Sequence, residues 1–334
     1  MPRRRLSERQ IARIERIQER RRHRLETRTE SILDSVEETP AQRGLILVRH
    51  GANLGVEDDS GHLHHCVSRQ NIGHPVCGDR VVWQPTSEGR GVVTALLPRA
   101  TVLSRPDASG RDKPLAANIT LMIVVVASRP PPGGFLIDQY LVTAEQIGVQ
   151  ALILCNKMDL LDHREREAFL SALGHYAEIG YTLLPISVKE DPCARALLTR
   201  FADETAILLG QSGVGKSSLI KALLPDQDVQ IGRLSRATGL GRHTTSATTC
   251  YQLGNSGRLI DSPGVRSFRL GALDRHALER GFREFVPHLG HCRFADCRHL
   301  HEPDCALRRA VASGSIAQQR LESFHQLAAD LERA

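Results

Sequence analysis

Residues 205–223 of the chain read TAILLGQSGVGKSSLIKAL: an apolar strand, a glycine-rich loop and an amphipathic helix in immediate succession. The loop has the spacing of a phosphate-binding loop (P-loop), and the flanking strand and helix are the context that this motif requires. Glycines let backbone N–H groups converge on a β-phosphate, a lysine reaches the β- and γ-oxygens, and a serine hydroxyl ligates Mg²⁺. The predicted contact residues are Gly210, Gln211, Ser212, Gly213, Val214, Gly215, Lys216, Ser217 and Ser218, with Ser217 as a magnesium ligand.

A second motif, NKMD, directly follows the apolar segment ALILC. The carboxylate of Asp159 can accept hydrogen bonds from both N1–H and the amino group of guanine, whereas adenine offers no such pair of donors. A buried carboxylate left unpaired disfavours binding, so the motif predicts selection of GTP over ATP. Asn156 and Lys157 are predicted to hold adjacent loops and cover the base, with Met158 counted among the GTP-binding residues. Ser187 ends the strand TLLPIS and is predicted to contact the guanine oxygen through its backbone.

Two further segments complete the predicted phosphate site. The first is DSPG, which ends the strand RLI; it places Asp261 where it can hold Mg²⁺ through water and the Gly264 N–H where it can sense a γ-phosphate. The second, GLGRHTTSATT, is glycine-rich and polar, as a loop that orders around γ-phosphate and Mg²⁺ must be. In it Thr245 is the predicted magnesium ligand, and Thr244 is the alternative.

The candidate for aligning the attacking water is a histidine. Val265 follows the DSPG segment, so the glutamine that orients water in many GTPases is absent from this position. His243 lies in the preceding glycine-rich loop, and a neutral imidazole can align water once such a loop closes. The alternative is a histidine simply exposed on a loop. Slow turnover in isolation, accelerated by a partner that fixes the loop, is the predicted behaviour.

The order of the motifs is itself informative, because the base motif precedes the P-loop, the threonine loop and DSPG. This order predicts a circularly permuted GTPase domain over residues 113–275, which the proximity of the termini in compact domains makes tolerable. Buried strands such as ITLMIVVVAS alternate with helices such as FLIDQYLVTAEQIG. The alternation predicts a parallel sheet covered by helices on both faces, with the ligand at the carboxyl ends of the strands.

Residues 41–112 have a different pattern, with short apolar runs such as GLILVRH, RVVWQP and GRGVVTALL broken by Gly, Asp, Ser and Pro. Evenly spaced short strands predict a five-stranded β-barrel of the OB-fold type, and CGDRVVW at 77–83 predicts a turn that feeds a strand. A barrel of this type suits a nucleic-acid partner. The alternative is a barrel with a packing role only.

Charge is concentrated at the N-terminus of the 334-residue chain, whose formal net charge is +6. Residues 1–28 hold eleven arginines and four glutamates, which leaves the rest of the chain near neutral. Residues 1–40 are predicted to form a basic, partly helical extension that suits a phosphate backbone, and the alternative is a solvated tail. No run approaches the roughly 18 apolar residues of a membrane span. The sequence predicts a monomeric cytoplasmic protein with no membrane partner.

Eight cysteines in a chain of this length are more typical of metal ligands or buried thiols than of disulfides. Three thiolates and an imidazole in the C-terminal segment satisfy a tetrahedral Zn²⁺ with no open position, which predicts a small helical domain with one structural zinc over residues 276–334. The predicted ligands are Cys292, Cys297, His299 and Cys305. The rival ligands are His288, His291 and His301, which spacing alone does not exclude.

Together these motifs resemble the ribosome small subunit-dependent GTPase A family of bacteria. The resemblance spans about residues 41–310 and rests on CGDRVVW, NKMD, GQSGVGKSSL, GRHTTS, IDSPGVR and the cysteine–histidine run, in the permuted order of that family. It implies an OB-fold, a circularly permuted GTPase domain and a zinc-binding domain. It further implies GTP hydrolysis stimulated by the small ribosomal subunit late in that subunit's maturation, a catalytic histidine at His243 and the zinc set above.

The arginine-rich extension departs from many family members in length and charge, so its role does not follow from the resemblance. Our separate hypothesis is that it anchors ribosomal RNA. Two other functions are compatible with the motifs. One is a GTP-dependent RNA-binding checkpoint factor whose hydrolysis only resets binding, and the other is a P-loop enzyme that acts on a small molecule.

Overall fold

The computed structural model describes residues 40–69, 72–86, 90–107, 111–188, 191–226, 230, 248–254, 256–262 and 273–333, with the backbone alone for 191–195. Nearly all of the predicted basic extension lies outside these residues. So do four of the predicted site residues: His243, Thr244, Thr245 and Gly264. Among the described helices, none combines the length and the apolar character needed to cross a membrane.

Five strands near the N-terminus form a closed barrel. They are β1 (Gln42–His50), β2 (Asn53–Asp58), β3 (Leu63–Ser68), β4 (Arg80–Pro85) and β5 (Gly91–Leu96). β1 pairs with β2 and β4, β2 pairs with β3, and β5 closes the ring by pairing with β3 in parallel and with β4. This is the five-stranded barrel of the OB-fold, so the predicted fold of this region is confirmed.

The barrel is filled around one tryptophan. Alternate residues of β4 point inward, which buries Val81 and Trp83. Two glycines make room for the indole ring: a Cβ on Gly91 would lie 2.6 Å from its Cε3 atom, and one on Gly44 would lie 3.1 Å from its Cδ1 atom. Short strands with glycine at these two positions can therefore wrap closely around a single large side chain.

A hairpin follows the barrel and leads into an α/β sheet. The hairpin strands are β6 (Val102–Pro106) and β7 (Asp112–Ala117), and the sheet strands are β8 (Leu121–Ala127), β9 (Gln150–Asn156), β10 (Thr182–Pro185), β11 (Thr205–Leu209), β12 (Thr249–Leu253) and β13 (Gly257–Asp261). The spatial order is β10-β9-β8-β11-β13-β12. The first five of these strands are parallel, and β12 is antiparallel to β13.

Helices cover both faces of this sheet. They are α1 (Gly134–Ile147), α2 (His163–Ala172), α3 (Gly174–Glu178), α4 (Asp191–Arg200) and α5 (Lys216–Leu223). Every residue of β8 is buried, and successive residues alternate between two cores. Met122 and Val124 belong to the core that includes α1, whereas Ile123 and Val125 belong to the core that includes α5. The apolar run that predicts a buried parallel strand is thus explained by helices on both faces.

The barrel and the α/β sheet are one continuous sheet of eleven strands. β1 of the barrel pairs antiparallel with β12, with Val48 opposite Thr249. The sequence does not predict this junction, because the two residues are about 200 positions apart and nothing local in either segment specifies the partner.

The C-terminal segment is a small helical unit that docks on α1. Its helices are α6 (Arg275–Arg280), α7 (Ala306–Ala312) and α8 (Gln318–Arg333), with a 3-10 helix at Arg283–His288. Phe282, Phe285 and Phe324 form its aromatic centre, with ring centroids 4.7 to 5.8 Å apart. The predicted architecture of barrel, permuted α/β domain and small helical domain is confirmed.

Buried charges join the C-terminal unit to α1. The Arg320 guanidinium on α8 is 1% exposed and donates to Asp138 Oδ1 on α1 at 2.6 Å and to Glu284 Oε1 at 2.6 Å. The Tyr176 hydroxyl donates to the same Asp138 oxygen at 2.7 Å. Charges taken out of water are tolerated only when they are paired and hydrogen-bonded, as here.

Candidate functional site

The P-loop connects the end of β11 to the start of α5 and depends on glycine at two positions. Gly210 has a φ of 135°, and a Cβ there would lie 2.3 Å from the Val125 carbonyl oxygen. Gly215 has a φ of 97°, and a Cβ there would lie 2.4 Å from Asn156 Nδ2. Both glycines meet strands β8 and β9 so closely that no side chain fits, which fixes the path of the loop over the sheet.

The side chain of Lys216 crosses the mouth of this loop. Its ammonium group donates to the carbonyl oxygens of Gly210 and Gln211, each at 2.6 Å. Ser217 and Ser218 are exposed in the first turn of α5, and Ser212 and Gly213 are exposed on the loop. A helix N-terminus, a lysine and an accessible hydroxyl group therefore meet at the carboxyl end of the sheet, the arrangement that binds polyphosphate.

The base motif is bound directly to the P-loop. Asn156 ends β9, is 2% exposed and donates through Nδ2 to the Val214 carbonyl at 2.9 Å. Lys157 adopts a left-handed backbone conformation, with a φ of 63°, and its ammonium donates to the Gly213 carbonyl at 2.6 Å. Motifs about 55 residues apart in the chain are thus joined by two side chains at one edge of the sheet.

Asp159 lies beside this junction in a short 3-10 turn. Its Oδ1 atom accepts a hydrogen bond of 2.8 Å from the Ser187 hydroxyl, and Ser187 itself is buried. Met158 is also buried, and its backbone N–H donates to the Ile186 carbonyl at 3.1 Å. The structure therefore gives the Ser187 hydroxyl a role in orienting the carboxylate.

The environment of Asp159 differs from the expectation that it is buried. Asp159 is exposed, as is its neighbour Leu160, which is 60% exposed. Discrimination against adenine cannot come from a carboxylate already removed from water. If Asp159 contacts the base as predicted, the base itself must remove water from the carboxylate, so that the missing donors of adenine would leave the charge unpaired.

The segment DSPG begins one strand away from the P-loop. Asp261 is the last residue of β13, which is the parallel neighbour of β11, with Ile260 opposite Ile207. Ser262 is buried, and its hydroxyl lies 3.1 Å from that of Thr248, the described residue just before β12. The carboxylate of Asp261 and the hydroxyl of Ser217 are thus on adjacent segments at the carboxyl end of the sheet.

The C-terminal unit holds a compact cluster of thiols and imidazole. The ligand atoms of Cys292, Cys297, His299 and Cys305 all lie within 4.8 Å of one another. His299 Nδ1 is 3.3 Å from Cys305 Sγ and 3.6 Å from Cys292 Sγ, and the latter two sulfur atoms are 4.0 Å apart. In a tetrahedral site with Zn–S bonds of about 2.3 Å, sulfur atoms lie about 3.8 Å apart, so the cluster has the dimensions that Zn²⁺ requires.

The rival histidines are not members of this cluster, which is the group among the described residues that could hold a metal ion. Sequence reasoning missed the residue behind the cluster, Glu279 on α6. Its carboxylate, 6% exposed, lies 3.2 Å from His299 Nε2 and 3.1 Å from His276 Nδ1. Burial opposes ionisation of Glu279, but the hydrogen bonds with His299 and His276 lower its pKa. A carboxylate in this position orients a histidine ligand, and an acidic residue on a helix beside the ligand run is the signal that could have found it.

Sequence reasoning also missed a segment that contacts both the base motif and the P-loop, namely the segment that leads from β8 into α1. The Lys157 ammonium donates to the Arg129 carbonyl at 3.1 Å, and Gln211 Nε2 donates to the Pro131 carbonyl at 3.2 Å. Both contacts are accepted by backbone carbonyls. Since every residue has such a carbonyl, residue type does not reveal these contacts.

The fold and the site together define a circularly permuted P-loop nucleotide-binding protein. The profile of the RsgA GTPase family matches residues 96–271. The chain belongs to the RsgA GTPase family and is a GTP-hydrolysing enzyme.

Relatives and solved structures agree with this assignment. The chain is 43% identical over 339 residues to the Small ribosomal subunit biogenesis GTPase RsgA of Hahella chejuensis, covering 99% of this chain and 97% of the relative. It is 42% identical over 334 residues to the protein of the same name from Pseudomonas aeruginosa, covering 99% and 98%. Among solved structures, YjeQ from Thermotoga maritima is similar with a TM-score of 0.71 at 28% identity, covering 88% of this chain and 100% of that one. YloQ, described as a circularly permuted GTPase, is similar with a TM-score of 0.68 at 26% identity, covering 88% and 96%.

Proposed function

We propose that this protein binds the small ribosomal subunit and hydrolyses GTP in a manner stimulated by that subunit, late in subunit maturation. The curated relatives named above carry small-subunit biogenesis in their names and match over nearly the full length of the chain. The observation that carries the proposal is the hydrogen-bonded junction between base motif and P-loop, because it places both motifs at one edge of the sheet, within reach of a single GTP molecule.

Guanine selection rests on Asp159. The Ser187 hydroxyl holds one carboxylate oxygen at 2.8 Å, and Asn156 and Lys157 fix the turn through carbonyls of the P-loop. In the proposed complex the carboxylate accepts from N1–H and the amino group of guanine. The P-loop residues from Gly210 to Ser218 surround the phosphates, with Lys216 neutralising charge on the β- and γ-phosphate oxygens.

Magnesium fits the oxygen-bearing side chains at the carboxyl end of the sheet. Hydroxyl and carboxylate oxygens are the ligands that this ion prefers, and Ser217 and Asp261 offer them on adjacent segments. Ser217 and Thr245 are the proposed direct ligands, and Asp261 acts through water. The ion supplies positive charge to the phosphate oxygens, which stabilises the transition state of phosphoryl transfer.

Hydrolysis requires a water molecule aligned with the γ-phosphate. We assign this alignment to His243, and the sensing of γ-phosphate to the Gly264 N–H. A subunit that fixes the histidine loop lowers the entropy cost of alignment, so turnover is slow in isolation and accelerates on the subunit. Loss of the γ-phosphate loosens the loops, and the protein leaves.

The cysteine–histidine cluster is proposed as one structural zinc site. Four protein ligands leave no open coordination position, so the metal stabilises the C-terminal unit and takes no part in hydrolysis. The barrel and this unit are proposed to contact RNA on either side of the GTPase domain, with the basic extension as a further rRNA anchor. The protein is proposed to act as a cytoplasmic monomer.

The decisive experiment measures GTP turnover of the full chain with and without purified small ribosomal subunits. The proposal expects slow turnover alone and an increase of at least about tenfold with subunits, with no increase from large subunits and no stimulated ATP turnover. Full-rate hydrolysis without subunits would contradict it. If a non-hydrolysable GTP analogue fails to trap the protein on subunits, hydrolysis does not drive release.

An Asp159→Asn variant tests the base contact. An amide presents one acceptor oxygen and one donor NH2 group where the carboxylate presents two acceptor oxygens, so it cannot pair with both N1–H and the amino group of guanine. GTP affinity should therefore fall at least about 100-fold, while affinity for xanthosine triphosphate, whose base carries a carbonyl oxygen in place of the amino group, rises. Nucleotide titrations measure both affinities. Glu167→Gln, an exposed carboxylate change on α2, is the matched control and should leave both affinities as they are.

A further inference from the structure

The CGDRVVW segment of the barrel begins with a turn whose position is fixed from three sides. The Gly78 N–H donates to the Ile46 carbonyl at 2.9 Å, and Asn118 Nδ2 donates to the Gly78 carbonyl at 2.7 Å. Asp79 is fully buried and pairs with the Arg99 guanidinium at 2.7 Å. A Cβ on Gly78 would lie 2.1 Å from the Ala117 carbonyl oxygen, so the turn presses directly on β7.

This rigid turn aims the side chain of Cys77 out of the barrel and into the junction with the α/β sheet. Its thiol donates to the Thr248 carbonyl at 2.9 Å and lies 3.3 Å from the Leu47 carbonyl oxygen on β1. Burial raises the pKa of the Cys77 thiol well above its usual range, so the thiol keeps its proton and remains a donor. Cys77 is thus a hydrogen-bonded contact between the two domains.

Thr248 is connected to the predicted nucleotide site by a side-chain contact and by strand pairing. Its hydroxyl lies 3.1 Å from that of Ser262 in DSPG. The next residue, Thr249, lies opposite Asp261 in the pairing of β12 with β13, and opposite Val48 of the barrel on its other side. A shift of Thr248 therefore acts directly on both Asp261 and Ser262.

A second contact holds the same pair of strands to the barrel. Arg258 on β13 donates to Glu57 on β2 through Nη2 at 2.5 Å, and both side chains are mostly buried. Arg258 is three residues before Asp261. The barrel therefore contacts both β12, through β1, and β13, through this ion pair.

We propose that Cys77 is a positioning residue for GTP hydrolysis: its thiol fixes the Thr248 carbonyl and thereby sets the geometry of Asp261 and Ser262 at the phosphate site. The barrel then determines how well DSPG is placed for hydrolysis, while nucleotide affinity depends on the base motif and the P-loop. This inference rests on the proposed role of Asp261 at the magnesium site.

The test compares the full-length protein with Cys77→Ala, which removes the donor, and Cys77→Ser, which keeps one. Cys66→Ala is the matched control, because Cys66 is a fully buried thiol of the same barrel that packs in its interior beside Trp83. For each protein, the maximal rate of GTP turnover with and without small subunits, the KM, the affinity for GDP and the melting temperature are measured.

Cys77→Ala is expected to lower maximal turnover about fivefold, the loss of one hydrogen bond's net contribution, with GDP affinity unchanged within about twofold. Cys77→Ser is expected to recover most of the lost rate. Cys66→Ala is expected to lower the melting temperature and leave turnover unchanged. If Cys77→Ala proves too unstable to purify, Cys77→Val, which fills the space without a donor, replaces it.

Equal turnover of Cys77→Ala and wild type would overturn the inference, as would equal losses of turnover in Cys77→Ala and Cys66→Ala. A failure of Cys77→Ser to recover the rate would also overturn it, because the donor is then not the operative feature. These outcomes are separate from the proposed function, which fails if wild-type turnover does not respond to small subunits; the Cys77 comparison is then decided on the basal rate.

Discussion

The two domains that flank the GTPase domain are attached to it in different ways. The barrel is attached through its backbone, by the pairing of β1 with β12, together with one thiol and one ion pair. The C-terminal unit is attached through side chains, with the buried guanidinium of Arg320 between Asp138 and Glu284. The barrel contacts strands that end in the phosphate site, whereas the C-terminal unit contacts the outer side of α1.

This difference separates two physical tasks. A strand junction at β12 connects the barrel to β13 and so to Asp261, which suits a domain that tunes hydrolysis. A buried charge cluster is costly to disrupt, because losing Arg320 leaves two carboxylates, Asp138 and Glu284, without a counter-charge in the interior. Substitutions at the C-terminal attachment are therefore expected to cause large losses of stability, whereas substitutions at the barrel attachment are expected to cause small, graded changes.

Loss of the proposed zinc should have the largest effect and should break the C-terminal attachment. A Cys305→Ser variant, or a strong chelator, is expected to destabilise this unit by roughly 5 kcal/mol or more, since metal binding free energy is folding free energy in small metal-stapled units. Thermal melting and metal analysis provide the measurement. Thiol titration adds an internal control: burial raises the pKa of Cys66, Cys155 and Cys250 to about 12, so these thiols should stay unreactive when the ligand thiols become reactive.

Removing the buried guanidinium should have the next largest effect. Arg320→Ala leaves Asp138 and Glu284 buried without a counter-charge and is expected to cost about 3–5 kcal/mol in the free energy of unfolding. Denaturant titration measures this cost. Arg333→Ala on the same helix is the control, because Arg333 is 72% exposed, and it should cost less than about 0.5 kcal/mol. Similar losses for the two variants would show that the cluster does not anchor the C-terminal unit.

Breaking the ion pair at the barrel should have a smaller effect. Glu57→Gln removes the charge opposite Arg258, whose Nη1 atom is buried without a partner among the described residues. The expected cost is about 1–2 kcal/mol in the free energy of unfolding. A double-mutant cycle with Arg258→Met isolates the pair, and a coupling energy near zero would mean that this ion pair does not help to hold the barrel.

The smallest effect concerns acid stability of the β2–β3 hairpin beside Glu57. Burial raises the pKa of Asp58, but hydrogen bonds from His64 and from the His62 and Ser60 backbones outweigh it, and the net pKa is lowered. A carboxyl group whose folded pKa is lowered stabilises the fold above its unfolded pKa of about 3.9, and this contribution is lost as the pH falls through the folded value. Asp58→Asn should therefore reduce stability at neutral pH and flatten its decline below about pH 4.

Acid titration monitored by circular dichroism checks this expectation. The neighbouring exposed residue provides the matched control, since Asp59→Asn changes charge by the same amount in the same turn. An identical acid profile for both variants would contradict a specific role for Asp58.

The sequence predicted those features of the molecule that depend on residue type and local spacing. The P-loop glycines, Lys216 and the clustered thiols are recognised by residue type and spacing, and their binding roles stay predictions, whereas the period of the apolar runs correctly predicted both the barrel and the parallel sheet. The exposure of Asp159 was not predictable, because the burial of a loop residue depends on what covers it.

Contacts between distant segments also escaped prediction. The pairing of Val48 with Thr249, the salt bridge between Arg320 and Asp138 and the position of Glu279 behind the metal cluster each join segments that no local pattern relates. Their chemistry is ordinary, and only the fold brings the partners together. The roles of His243 and Thr245 stay predictions.

The close fit of the C-terminal unit against α1 limits how this chain can be recombined with its relatives. A Cβ on Gly281 would lie 2.7 Å from Val142 Cγ1, and Gln146 Nε2 on the same helix donates to the Ala277 carbonyl. A chimera that exchanges the C-terminal unit alone replaces Gly281 and Ala277 while keeping the Val142 and Gln146 side chains that contact them. The helix and the unit that covers it must therefore be inherited, or engineered, as one piece.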